Sequence, residues 1–195
     1  MTTITQTLKP SSANYWKGTA FTALFTVPLI AFQLLRNIDR PFIWIVLLIT
    51  VVASTAGVAL FFARARILIQ ESGIGKQRIV GIRWIPFAEI DRALLVRGFK
   101  SFGELPSTEL FLFAAGGRKL LRLSGRLWTE ADMITLATAT GATQGLIPGP
   151  ASAKDVRAVE PTAIAWAERH PFLAAFAITA VLIVAIVPFA IVLSR

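Results

Sequence analysis

Apolar positions along this chain follow two different rules. Three runs, Thr19–Leu35, Phe42–Ala63 and Phe172–Leu193, are continuously hydrophobic and contain no Lys, Arg, Asp, Glu or His. Between the second and third runs, apolar residues alternate with polar ones or recur at helical spacing. Crossing ~30 Å of hydrocarbon takes roughly 20 apolar residues, a length that core helices of soluble proteins rarely sustain. The pattern therefore predicts three transmembrane helices: a hairpin over 19–63, built from spans 19–35 and 42–63, and a third helix within 170–195. The second run carries thirteen Leu, Ile, Val or Phe residues, the side chains that most favour insertion. Its Ala53, Ser54, Ala56 and Gly57 offer a small-residue face to a neighbouring helix. Pro28 and Gln33 interrupt the first run, and Pro188 lies late in the third. A cleaved leader is the competing reading of the first run, but no small-x-small pattern precedes Arg36.

The segment 64–145 predicts short strands and turns closed by one helix. Ile67–Glu71 continues directly from Arg66 as a first strand, and Ser72-Gly73-Ile74-Gly75 supplies turn residues. Arg78–Ile85 alternates, with Val80, Ile82 and Trp84 on one face against Gly81 and Arg83 on the other. Ala93–Val96 forms a third strand, and Leu110–Ala114 and Lys119–Leu123 flank the Gly116-Gly117 hairpin signal. The period then changes. Thr129 with Asp132 starts a helix, Met133, Leu136, Ala137 and Thr140 follow on one face, and Gly141 stops it. Residues 1–18 are expected to form an N-terminal tail. Residues 146–169 are expected to form a linker rich in Pro and Gly, followed by an interfacial helix over Asp155–Arg169, broken at Pro161 and carrying Trp166 near the membrane.

The stretch Arg83-Trp84-Ile85-Pro86-Phe87-Ala88-Glu89-Ile90 is similar to the "I-P-[WF]-x-[DE]-I" stretch of bacterial pleckstrin-homology-like domains. The order around it resembles the family too: strand-turn-strand with Gly73, this stretch, a Gly-turned hairpin ending in Leu121-Arg122-Leu123-Ser124, then a helix. The resemblance covers Ile67–Thr143, and the chain shows fewer strand signals than the seven the family has. It implies a small β-rich barrel or sandwich capped by a C-terminal helix, in a small membrane protein. The fold class expected is thus membrane α-helical with three spans, plus this pleckstrin-homology-like domain.

Charge sharpens the placement. The 195 residues carry a formal net charge of +9, and 25 of their 31 Lys, Arg, Asp and Glu residues lie between Arg64 and Arg169. Lys9 and Lys17 precede the first run, Arg64 and Arg66 follow the second, and Arg169 precedes the third, against Arg36, Arg40 and Arg195 on the opposite side. Positive flanks favour the cytoplasm, which puts the N-terminus and the domain inside, the C-terminus outside, and the protein in the cell membrane as a multi-pass protein. An anionic bilayer is the natural partner of such charge; the basic residues neither cluster nor interleave with aromatics as a nucleic-acid surface requires. The absence of cysteine excludes disulfides and thiolate chemistry.

Candidate chemistry is sparse. Gly73-Ile74-Gly75-Lys76 lacks the spacing of a phosphate loop, and Gln77 stands where Ser or Thr is needed. Lys76, Arg78 and Arg83 are candidate lipid contacts. Their spread suits a solvated face near an anionic bilayer better than convergence on one phosphoinositide headgroup. Phe99, Lys100 and Phe102, in the Gly98–Gly103 stretch, are candidate membrane or partner contacts, or else Phe99 and Phe102 fold back onto the domain. Glu89 and Asp91, and Glu104 and Glu109, have no metal-ligand companion. The lone His170 sits before Pro171 at the mouth of the third run. These features point to no catalytic set, metal or cofactor. The expected role is a non-catalytic, membrane-anchored interaction or scaffold module facing a membrane-protein partner. The alternative is a regulatory or structural subunit of a small transporter or channel, in which Pro28, Gln33 or Pro188 would matter.

Overall fold

The computed structural model describes residues 4–36, 41–100 and 105–166, together with 170, 172, 173, 176 and 177. The chain begins with strand β1 (Ile4–Leu8) and helix α1 (Ser12–Arg36), then helix α2 (Pro41–Arg64). Strands β2 (Arg66–Gln70), β3 (Gly73–Gln77) and β4 (Ile82–Pro86) follow, and a 3-10 turn over Phe87–Glu89 leads into β5 (Arg92–Lys100). Next come β6 (Ser107–Phe113), β7 (Lys119–Ser124), helix α3 (Glu130–Ala139), β8 (Thr143–Ile147), β9 (Ala151–Ser152) and helix α4 (Ala153–Val159).

Two sheets result. The first is antiparallel in the order β1-β2-β3-β4; the second runs β7-β6-β5-β8, with β8 and the short β9 both parallel to β5. Strand periodicity sorts the second sheet's side chains into two cores. Ala93, Leu110, Leu112, Leu121 and Leu123 meet Ile67, Ile69, Ile74 and Ile85 of the first sheet, and Met133, Leu136 and Ala137 of α3 close that core. Leu94, Val96, Phe99, Phe111 and Phe113 point the other way, under Ala151, Val156, Ala163 and Ile164. Met133 and Leu136 are fully buried, each worth about 1.5–3 kcal/mol of transfer free energy. A capping box between Thr129 and Asp132 fixes the start of α3, and the same device between Ser152 and Asp155 starts α4.

The architecture corrects the fold class expected from the pattern. Among the described residues it is a mixed α/β fold with two sheets and four helices, and one helix segment, Trp44–Arg64, is long and apolar enough to cross a membrane. The run 19–35 lies within α1, which starts with the polar residues Ser12, Asn14 and Lys17 and contains Pro28. An apolar run inside a longer, mixed helix is weaker evidence of a span than a uniformly apolar one. The third run falls outside the described residues except at 172, 173, 176 and 177, and residues 37–40, with Arg40, also fall outside them. The helix expected to close a β-rich barrel is not the last element. The chain continues into β8, which returns parallel to β5, and then into α4, which covers the sheet's far face. Parallel pairing is hidden in the sequence because β8, Thr-Gln-Gly-Leu-Ile, has no alternation and runs into the Pro- and Gly-rich stretch.

Three smaller differences follow. Residues 4–8, expected as tail, pair with β2 in the register Leu8↔Ile67. The helix expected from Asp155 starts two residues earlier, at Ala153 after its Ser152 cap, and ends at Val159 before Pro161. The strand expected over 78–85 is shortened to Ile82–Pro86, with Arg78–Gly81 forming a loop closed by the Arg78 N–H donating to the Gly81 carbonyl at 3.0 Å. Gly81 takes φ +76°, a conformation open to glycine.

Candidate functional site

Strand register determines what lies beside the end of α2. Only Ala65 separates α2 from β2, and Arg66 pairs with Gln77 of β3. The β3–β4 loop, 78–81, therefore projects back beyond the start of β2, to the level of the last turn of α2. The Arg64 guanidinium closes this arrangement by donating to the Ile79 carbonyl at 3.1 Å. Helix α1 starts at the same end: the Ser11 N–H donates to the Leu127 carbonyl at 2.6 Å, and the Asn14 amide to the Gly125 carbonyl at 3.0 Å. Tyr15 packs edge-on against Phe62 with ring centroids 5.3 Å apart, so the first turn of α1 abuts the last turn of α2.

A groove of about 510 Å³ opens at this junction. Phe61 and Ala65 form one side, the loop residues Arg78, Ile79 and Val80 another, and Leu127 and Trp128 after β7 a third. Lys76 and Arg122 also border it. The loop tip exposes its apolar side chains, with Val80 85% accessible and Ile79 39%.

Two of the expected contact residues, Lys76 and Arg78, line the groove, and a third, Arg83, stands beside Lys76. Lys76 and Arg83 are direct cross-strand partners, on the same face as the core pair Ile74 and Ile85 but beyond the core's end. Arg78 begins the loop. Burial, followed by the adjacent Arg78 and Arg83 guanidiniums, holds the Lys76 ammonium below its ordinary pKa. Among the described residues no carboxylate forms an ion pair with any of the three. From Arg64 to Ala88 the sole acid is Glu71, in the β2–β3 turn at the opposite end of the hairpin.

The remaining expected contacts separate from these. Phe99 is buried in the second core, which replaces its reading as a surface contact with the folded-back one. Lys100 is exposed and pairs with Ser152 across β5 and β9. Phe102 and Glu104 lie outside the described residues. Gly73 and Gly75 sit inside β3 rather than in a loop. A Cβ on Gly73 would fall 2.5 Å from the Ile85 carbonyl oxygen, and one on Gly75 would fall 2.8 Å from the Trp84 ring. Close strand packing, not a phosphate cradle, accounts for these glycines.

The acidic candidates are engaged with arginines. Glu89 lies 3.6 Å from Arg118, and Asp91 3.3 Å from Arg92. Glu109 is 2% exposed and accepts from Arg122 Nε at 2.9 Å, Ser124 Oγ at 2.7 Å and Ser107 Oγ at 3.1 Å. Arg122 in turn lies over the rings of Phe99 and Phe111, at 5.5 and 5.3 Å. His170 packs against the Trp166 ring at 5.7 Å.

Sequence reasoning misses Ile79, Val80, Phe61 and Trp128 as parts of one surface. The signal lies in Gly81, which ends the alternation that otherwise assigns Val80 to a strand. No family model and no curated protein matches the chain.

Proposed function

We propose that the protein is a membrane-anchored, non-catalytic interaction module that holds its two-sheet domain against the cytoplasmic face of a bilayer and presents it to a membrane-protein partner. The observation that carries this reading is the junction at Ala65. A strongly apolar helix segment of 21 residues, with none of it buried against the rest of the chain, passes into a core strand through a single residue. Arg64 ties its end to the hairpin loop. At 1.5 Å per residue such a helix spans roughly 30 Å, the thickness of the hydrocarbon layer. Leu48, Ile49 and Val52 are each more than half exposed along it, an arrangement that favours lipid as their surroundings.

Cytoplasmic placement is supported by Arg64, Arg66, Lys76 and Arg78 gathering at the end of α2. Kinship with the bacterial pleckstrin-homology-like proteins rests on the 83–90 stretch. Overlapping it, β4 is an outer strand of the first sheet and leaves Ile82 and Trp84 each 46% exposed. Such an edge suits a partner that adds a strand. Rigid tethering would confine the domain near the membrane and raise its effective concentration for other membrane proteins.

Crosslinking in intact membranes from a photoreactive residue at Trp84, with mass-spectrometric identification of the product, tests the reading. Reproducible capture of a membrane protein, retained when α2 is exchanged for an unrelated span, is the expected result. Loss of function on that exchange, with capture unchanged, would assign the activity to the span and overturn the scaffold role.

A further inference from the structure

Resting on that anchored reading, we propose that the groove beside the last turn of α2 holds an anionic phospholipid of the adjoining leaflet, with the Ile79–Val80 tip of the β3–β4 hairpin set among the headgroups. Four independent features converge on this occupant. Register and the Arg64–Ile79 hydrogen bond fix the tip at the level where α2 ends, so a bilayer around α2 reaches the tip without any movement of the domain. The tip is also the most exposed apolar element of the hairpin and carries a glycine turn in place of polar residues. An exposed Val–Ile pair beside cations is the composition of segments that lie in the interfacial layer.

The groove is the third feature. Its walls are apolar, from Phe61, Ile79, Val80, Leu127 and Trp128, and Phe61 belongs to the helix that the lipid's own neighbours would cover. An acyl chain following α2 therefore enters the groove from the hydrocarbon side. Lys76 and Arg78 stand where the headgroup would come to rest, with Arg83 next to Lys76. A phosphodiester there relieves the mutual repulsion of three cations that have no carboxylate partner among the described residues, and it raises the lowered Lys76 pKa back toward its ordinary value.

The aromatic collar is the fourth feature, on the same level. Tyr15, Trp16, Phe61 and Phe62 form a continuous chain of edge-on ring contacts, at 5.4, 5.3 and 5.5 Å, and Trp16 is 60% exposed. Aromatic rings gather at the boundary between headgroups and hydrocarbon. The apolar groove suits an acyl chain and the cations at its edge suit a phosphodiester, which together are the chemistry of a glycerophospholipid, and the other features set the groove at the depth of the headgroups. Several cations reaching one phosphodiester need no particular sugar headgroup, so the preference expected is for negative charge.

The native chain has no cysteine, so Val80→Cys creates a unique thiol at an exposed tip. The full chain, spin-labelled there, is placed in nanodiscs of phosphatidylcholine alone or with phosphatidylglycerol. Accessibility to oxygen and to a water-soluble nickel chelate gives the label's depth. Leu48→Cys in mid-α2 and Gln144→Cys on β8 provide the hydrocarbon and aqueous references. The expected result is an interfacial Val80 label, shielded further from nickel when phosphatidylglycerol is present. Lys76→Gln with Arg78→Gln should remove that response and weaken the affinity for phosphatidylglycerol, titrated by native mass spectrometry, by roughly 30-fold. A Val80 label as aqueous as Gln144, with Leu48 in hydrocarbon, overturns the lipid site and leaves the anchor standing. An aqueous Leu48 label overturns both. Release of the response by excess inorganic phosphate would reassign the site to a free anion.

Discussion

The Arg64 guanidinium donates to the Ile79 carbonyl oxygen at 3.1 Å across fifteen residues of chain. This bond joins the last residue of α2 to the tip of the β3–β4 hairpin, so the helix and the domain share a junction rather than a flexible linker. Ala65 is buried and completes it by packing the one intervening residue.

Arg64→Ala should release the hairpin tip while leaving both cores intact. Amide exchange at Arg78, whose N–H donates to Gly81, is expected to accelerate by about five- to tenfold, matching the roughly 1 kcal/mol that an average hydrogen bond contributes. Exchange in β6 should not change. Equal acceleration in β6 would mean that Arg64 supports the whole domain, not the tip.

Glu109 and Arg122 form the most buried ion pair of the second sheet among the described residues, at 2.9 Å. Truncation of Arg122 to Ala leaves a carboxylate that only Ser107 and Ser124 can satisfy, and is expected to cost about 3–5 kcal/mol. Replacing both partners by apolar residues, Glu109→Leu with Arg122→Met, should recover most of that loss. Urea unfolding of the full chain in micelles measures both; a double variant as unstable as Arg122→Ala would refute the desolvation argument.

Gly73→Ala and Gly75→Ala separate backbone from side-chain obstruction. The new Cβ at Gly73 meets a main-chain oxygen 2.5 Å away, which cannot rotate aside; at Gly75 it meets the Trp84 ring, which can. We expect Gly73→Ala to destabilise by about 1–3 kcal/mol and Gly75→Ala by less, with a change in Trp84 fluorescence only in the second. The reverse order of midpoints would contradict the packing described.

Lys76 makes stability depend on pH in a defined direction. Its pKa in the fold lies below the ordinary value of 10.5 because of burial and the two arginines. Below the lowered value Lys76 is charged in both states, and the folded state carries the full penalty. As pH rises from the lowered value towards 10.5, the folded chain loses this proton first and the penalty disappears. Lys76→Met in zwitterionic detergent should therefore raise the thermal midpoint at pH 7, and the gain should shrink as pH approaches 10.5. A gain that grows with pH would reverse the assigned sign.

Local signals are legible where a single residue type forces a geometry. Gly116 and Gly117 turn the β6–β7 hairpin with φ of +83° and +79°, and Thr129 caps α3 through Asp132 as its spacing implies. What stays hidden is non-local. The continuous apolar run of β6 divides between two cores, Leu110 and Leu112 on one and Phe111 and Phe113 on the other, and only the second sheet face explains it. Nothing in Thr143–Ile147 announces that it will lie parallel to β5, because its partner already has an apolar pattern that serves two faces. The site is half legible: Lys76, Arg78 and Arg83 can be named from charge, but the meeting of Lys76 and Arg78 with Phe61 depends on the register between β2 and β3, which no local pattern encodes. Phe99 reads as a loop residue because glycine precedes it, and here it fills the core under Arg122.

The most direct test of the central claim, that α2 is a membrane anchor ending at the domain's hairpin, is thiol scanning along it in native membranes. Single cysteines at Leu48, Val52, Leu60, Arg66 and Val80 are exposed to a membrane-impermeant maleimide with both membrane faces open. Protection at Leu48, Val52 and Leu60, full labelling at Arg66 and partial labelling at Val80 is the result expected. Labelling of Leu48 and Val52 as fast as Arg66 would contradict it.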